Sequence, residues 1–183
     1  MNDKKFDHTR LSDTVRHWPS LPEDDRIPQR FRGHVMSHKL DATTVYNLHD
    51  SLSGTYRHGG ISIIATGKLI WRRVQYGRYT SGIGRWSWQQ FRGRWDASIH
   101  IITFYRPVPP VAGGGPGSVY AQHLNHLSNL KRRECTIIAF LSDLSDDINT
   151  WKSKGFQIII MGYTNENILS KKIRNFAKKL GLR

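Results

Sequence analysis

Four apolar residues, Ile158-Ile159-Ile160-Met161, run up to Gly162, and the polar cluster Tyr163-Thr164-Asn165-Glu166-Asn167 follows at once, before a helical pattern begins. This pattern predicts a buried strand that delivers side chains to the end of a sheet, where layered α/β folds place their active sites. Earlier in the chain, apolar and β-branched runs predict strands over 60–65, 68–74, 84–91 and 98–105. These strands follow one another at hairpin spacing, so this half of the chain is expected to be antiparallel. Trp86 and Trp88 fall on one face of the third strand, which favours core packing over base stacking for both.

Three helices are expected after the strands. Ser118 is a candidate N-cap for the first, which carries Tyr120, Leu124 and Leu127. The second runs from about 134 to 154, with Phe140, Leu141, Leu144, Ile148 and Trp151 on one face and Gly155 as its stop. The third covers 168–182, with Ile173, Phe176, Ala177 and Leu180 inward and Lys171, Lys172, Arg174, Lys178 and Lys179 outward. The glycine-rich stretch 113–117 lacks the Gly-Lys-Ser/Thr ending of a phosphate-binding loop and reads as a hinge. Residues 1–58 are polar and weakly periodic. They read as an irregular or helical segment of the same domain, with a short helix expected near Glu23 that carries Ile27 and Phe31. Antiparallel strands followed by a helix-bearing crossover into a central strand give an α+β layered sandwich.

Composition narrows the function. The chain has 183 residues, 38% of them hydrophobic and 11% aromatic, which suits one domain with a real core. The formal net charge is +14 and the pI about 10.3. That balance favours polyanions, with nucleic acid (DNA or RNA) ahead of an anionic membrane surface. Cys135 is the single cysteine, so no internal disulfide or cysteine-based zinc site can form. No apolar run is long enough to span a bilayer, and the N-terminal residues lack the apolar core of a secretion signal. An intracellular protein that makes no membrane contact is expected, with nucleus, cytoplasm and organelle left open.

Within one basic segment, Lys68, Arg72, Arg73, Arg78, Arg85, Arg92 and Arg94 alternate with Trp71, Tyr76, Tyr79, Trp86, Trp88, Phe91 and Trp95. Arginine pairs phosphates bidentately, and aromatic faces stack on unpaired bases. The arginines, together with Lys171 and Lys172, are the candidate nucleic-acid contacts; a plain solvated face is the competing reading. Tyr105 ends an apolar strand just before Arg106-Pro107, where a phenol can orient a phosphate or pack half-buried. Asn165 stands just past another strand end, where it can bond a phosphate or cap the following helix.

The motifs Tyr56-Arg57-His58-Gly59-Gly60, Gly82-Ile83-Gly84-Arg85-Trp86-Ser87-Trp88, Phe91-Arg92-Gly93-Arg94, Ile102-Thr103-Phe104-Tyr105-Arg106-Pro107 and Ser118-Val119-Tyr120-Ala121-Gln122-His123-Leu124 occur in that order, with Ile158–Asn167 after them. In this order and spacing they resemble the endonuclease/exonuclease/phosphatase family, which has the fold of deoxyribonuclease I, and the degenerate copies of that domain in mobile elements. Leu11-Ser12-Asp13-Thr14-Val15-Arg16-His17-Trp18 resembles the family's Leu-Gln-Glu-Thr stretch. The resemblance implies a partial four-layer α/β/β/α sandwich, truncated at the C-terminus, with 59–183 as an incomplete endonuclease-like domain and 1–58 as part of it. It implies Mg²⁺ as the cofactor if the protein is active. Tyr105 and Asn165 then fall at catalytic positions and Asp13 at the metal-binding acid.

The resemblance also exposes departures. Tyr163 stands where the family's Gly-Asp-x-Asn signature has its aspartate, and a phenol of ordinary pKa near ~10 is a poor base at neutral pH. The sequence ends at Arg183, before the family's closing Ser-Asp-His strand, and the family's first strand with its Asn is not recognisable before Leu11. The expectation is an endonuclease-like, nucleic-acid-interacting domain of retrotransposon origin whose phosphodiesterase activity is weak or lost. Two alternatives stand beside it. One is a domesticated non-catalytic RNA- or DNA-binding or structural subunit of a ribonucleoprotein. The other is a docking role in which other protein chains complete the sandwich.

Overall fold

The computed structural model describes residues 8–12, 43–45, 61–65, 67–81, 83–95, 97–109, 115, 117–167 and 169–182. Two sheets form. In the first, β1 (His8–Ser12) and β2 (Thr43–Val45) each pair antiparallel with the central β3 (Ile61–Ala65). In the second, β4 (Arg73–Arg78), β5 (Trp86–Arg92) and β6 (Ser98–Tyr105) form an antiparallel meander, and β7 (Gln157–Tyr163) adds to β6 in parallel. The antiparallel pairing expected over 68–105 is present as the β4–β6 meander, but 61–65 belongs to the other sheet, and the strand over 158–161, expected to be buried and central, is a half-exposed parallel edge strand.

The sheets pack face to face, β3 lying over β5 and β6. Ile61, Ile63, Phe91 and Thr103 are buried, and the side-chain amide of Gln89 donates to the Ile63 carbonyl across the interface at 3.2 Å. On the other face of the second sheet lie α1 (Val119–Asn129), α2 (Thr136–Ser153) and α3 (Lys171–Lys179). The described layers thus run sheet, sheet, helix.

The main core lies between the second sheet and the helices. Trp86 stacks on Tyr79 at 3.8 Å between centroids and meets Phe140 edge-on at 5.6 Å. Ile102 and Phe104 from β6 join Leu144, Ile148 and Trp151 from α2. Each such side chain contributes about 1.5–3 kcal/mol when fully buried. Trp88 packs against this cluster, so both strand tryptophans are core residues, as their shared face predicts. The indole N–H of Trp86 finds its polar partner in Asp147, at 2.9 Å.

Local signals explain the helix ends. The Ser118 hydroxyl accepts from the Ala121 amide and caps α1. Beyond α2, Gly155 sits at φ +80°, a left-handed conformation that glycine adopts without steric cost.

Three further expectations need correcting. The stretch 68–74 is not one strand: Gly67–Arg72 coils into a 3₁₀ helix, and the strand begins only at Arg73. Residues 1–58 are not purely irregular or helical, because β1 and β2 lie within them. Both are short and gain their ladder from β3 rather than from strong patterns of their own. The third helix starts at Lys171 with Ser170 as its cap, so Asn165 is not a helix cap. The helix expected near Glu23 lies outside the described residues.

Candidate functional site

Parallel pairing brings the C-terminal ends of β6 and β7 to one edge of the sheet, so residues distant in sequence meet there. Tyr105 and Tyr163 are register partners, and their rings stack at 5.9 Å with 14° between planes. Tyr105 is half-buried, whereas Tyr163 is exposed. One residue further on, the Arg106 amide donates to the Tyr163 carbonyl at 3.0 Å.

The Arg106 side chain then organises the turn after β7. It is buried. Its Nε donates to the Thr164 carbonyl, and its Nη2 pairs with Glu166 Oε2 at 2.9 Å. Asn165 adopts φ 52°, a left-handed conformation that asparagine tolerates better than most residues. Its side-chain amide donates to the Arg106 carbonyl at 3.0 Å. The Thr164 hydroxyl donates to the Glu166 carbonyl at 2.7 Å. The structure therefore brings Tyr105, Tyr163 and Asn165 together.

The chemistry open to this cluster is limited by those bonds. A phenol stands at position 163, the Glu166 carboxylate is engaged by Arg106, and the Asn165 amide N–H₂ holds backbone. Asp13, the expected metal acid, immediately follows the last residue of β1 but lies outside the described residues. Among the described residues, no three His, Cys, Asp or Glu side chains gather where they could hold a metal ion. Mg²⁺ requires hard oxygen donors, usually carboxylates. Two phenols, an amide and an ion-paired carboxylate do not supply that set, so the described residues do not fit the metal.

Sequence reasoning missed Arg106 and Glu166 as the organisers of this edge. Both lie within quoted motifs, but their pairing depends on the parallel register of β6 and β7, which no local pattern encodes.

The candidate nucleic-acid contacts divide by burial. Arg72, Arg78, Arg92 and Arg94 are exposed and Arg73 is half-buried. Lys171 and Lys172 are exposed on the outer face of α3. Arg85 departs from the set, being 0% exposed. Its guanidinium donates to the Val119 carbonyl and to Gln122 Oε1, each at 3.3 Å, and so ties the start of α1 to the sheet. The aromatics of the same segment also divide: Tyr79, Trp86 and Phe91 are buried, while Trp71, Tyr76 and Trp95 are exposed.

A second polar network anchors α2. The Tyr79 hydroxyl donates to Asp143 Oδ2 at 2.6 Å, and Arg132 grips both Asp143 oxygens at 2.9 and 2.8 Å. Burial pushes the Asp143 carboxyl up, but the Arg132 and Tyr79 hydrogen bonds outweigh it and hold the group below its ordinary value. Burial and the bond to Asp143 push the Tyr79 phenol well up. Nearby, His123 is fully buried, and burial together with the Arg85 charge lowers its pKa to about 3.

No protein-family model and no curated protein matches the sequence. Solved structures do match. Beta toxin from Staphylococcus aureus aligns with a TM-score of 0.53 at 11% identity, over 97% of this chain and 59% of its own. The human Nocturnin catalytic domain with bound sulfate aligns with a TM-score of 0.49 at 14% identity, over 95% and 57%. This chain spans under three fifths of the length of either structure. The fold is a partial α+β sandwich of the deoxyribonuclease I-like type, as the motif order implied.

Proposed function

We propose that this chain is an endonuclease-like, nucleic-acid-interacting domain of retroelement descent whose phosphodiesterase activity is weak or lost. One observation carries the reading: at the edge where β6 and β7 end, Tyr163, which the resemblance puts at the family's acid position, stacks on Tyr105, while Arg106 engages both Asn165 and Glu166. Loss of one positioned acid–base group costs on the order of 10²–10⁴-fold. The retained motif order supports the descent, and the +14 charge supports a phosphate-bearing partner. If activity remains, Mg²⁺ is the ion the resemblance implies.

The test is nicking of supercoiled plasmid by the purified protein with Mg²⁺ or Mn²⁺. Conversion near background is expected. Robust nicking that disappears in Asn165→Ala would overturn the reading of lost activity.

The exposed arginines favour a second reading, a domesticated non-catalytic RNA- or DNA-binding or structural subunit of a ribonucleoprotein. Such binding should weaken steeply with salt, because neutralised phosphates release counterions. A flat salt dependence argues against it. Protein chains that complete the sandwich would meet β7, the outermost strand of its sheet, where Ile159 is exposed and an apolar groove of about 650 Å³ separates the strand from α3. A clean monomer in size-exclusion chromatography argues against that docking role.

A further inference from the structure

Two of the three exposed aromatic rings of the basic segment, those of Trp71 and Trp95, lie at the end of the sheet opposite the Tyr105–Asn165 cluster. Trp71 is 89% exposed, Trp95 84% and Tyr76 60%. Trp71 lies in the 3₁₀ turn that leads into β4, and Trp95 in the turn between β5 and β6. Arg73 pairs with Phe91 and Arg92 with Ser98, so these two turns share one end of the sheet. Tyr76 stands further along the exposed edge strand β4. β6 spans eight residues between the two ends. At ~3.3 Å per residue, the two turns lie roughly 20 Å or more from the tyrosine pair, and Tyr76, level with Ile101, stands between the two ends.

Arginines accompany these rings. The Arg94 guanidinium sits 4.8 Å from the Trp95 ring centroid, and that of Arg73 sits 5.3 Å from the Tyr76 centroid. Arg72 and Arg92 are exposed beside them. Trp95 adopts φ 57°, an unfavourable conformation for a bulky side chain, in a turn held by the Gly93 amide bonding the Ala97 carbonyl at 2.6 Å. The ring is thus held out into solvent by a defined turn, against backbone preference and without core packing.

We propose that this end of the sheet is a stacking platform for single-stranded nucleic acid. Unpaired bases lie on Trp71 and Trp95, with Tyr76 next along β4, and Arg72, Arg92 and Arg94 take the flanking phosphates. The proposal rests on the nucleic-acid-facing reading above and names the form of the ligand. A duplex hides its base faces, so only unpaired nucleotides can use the rings. The rings alternate with arginines instead of merging into one apolar wedge. Arginine's planar fork also matches phosphate oxygens in a way that simple adsorption to a charged lipid surface does not require.

The experiment is a tryptophan-fluorescence titration of the whole chain at low salt, with oligothymidylate and with a duplex of equal length. Quenching by the single strand is expected, with weaker duplex binding. Trp71→Ala/Trp95→Ala should lose roughly tenfold or more in affinity for the single strand for each ring removed. Both rings are exposed, so this variant should keep the far-UV circular dichroism of the parent. Arg72→Gln/Arg94→Gln should instead lower the salt slope, by about one unit per lost phosphate contact.

Equal binding of single strand and duplex, or unchanged affinity in the tryptophan variant, overturns the platform while leaving nucleic-acid binding intact. No binding of either nucleic acid overturns the nucleic-acid reading and the platform with it. Adsorption to phosphatidylserine vesicles without oligothymidylate binding, lost in the tryptophan variant, reassigns the surface to a membrane.

Discussion

A methyl group on Gly162 would stand 2.0 Å from Cε1 of Phe104, so the ring lies directly against the backbone of β7. Phe104 and Gly162 are register partners on the parallel strands. The glycine that ends the apolar run is therefore a packing residue: its missing side chain is the space that Phe104 fills.

Gly162→Ala should destabilise the fold by about 1–3 kcal/mol, the usual cost of forcing extra volume into a packed site. Chemical denaturation should show a lower midpoint at unchanged slope. Phe104→Leu in the same chain should recover part of the loss, because the smaller side chain makes room. A neutral Gly162→Ala would contradict this packing.

Arg106→Met should cost about 2–3 kcal/mol, since it strands the Glu166 carboxylate and the Thr164 carbonyl at a site where Arg106 is only 3% exposed. Adding Glu166→Gln should restore much of that stability by removing the uncompensated charge. Denaturation midpoints of the two single variants and the double variant measure the coupling.

Much of this edge was legible in the sequence, and its bonding was not. The apolar run, the glycine and the polar cluster located the strand end correctly because strand periodicity is local. The Arg106–Glu166 pair was illegible because it depends on which strand lies beside β7. Arg85 misled for a related reason: within a basic run it reads as surface, yet Val119 and Gln122 accept from it in the interior. Trp86 and Trp88 were readable because alternation placed them on one face. β1 and β2 were not, because their stability comes from pairing with β3.

Acid should destabilise the protein in two stages. Burial, together with the nearby Lys154 charge, lowers His100 to about 4, and His123 is lowered to about 3. Both would take up protons near pH 6.5 in the unfolded chain, so between pH 6.5 and 4 the unfolded state binds more protons and stability falls with pH. At about 1.4 kcal/mol per pKa unit, His100 alone accounts for about 3 kcal/mol. Asp143, held below its ordinary value, adds a further loss as pH falls through its folded pKa. Asp147, raised by burial, acts in the opposite sense and offsets part of the fall. Thermal midpoints across pH 4–7 should drop, and His100→Phe should flatten the slope. A pH-independent midpoint would contradict the burial of these imidazoles.

Tyr79→Phe should cost about 1–2 kcal/mol, because the Asp143 carboxylate loses the phenol that donates to it while staying partly buried. The ring stack on Trp86 survives in the variant, so near-ultraviolet circular dichroism should change less than the denaturation midpoint.

The parallel pairing of β6 with β7 also sets an order of events. β4, β5 and β6 can zip together through short turns, whereas β7 reaches β6 only after the chain carrying α1 and α2 has folded back. Closing that long loop loses entropy before any contact compensates it. The edge bearing Tyr105, Tyr163 and Asn165 should therefore be the last part of this sheet to form and the first to open. Amide hydrogens of β7 should exchange ahead of those of β5, leaving the meander and its exposed tryptophans intact in a partly open molecule.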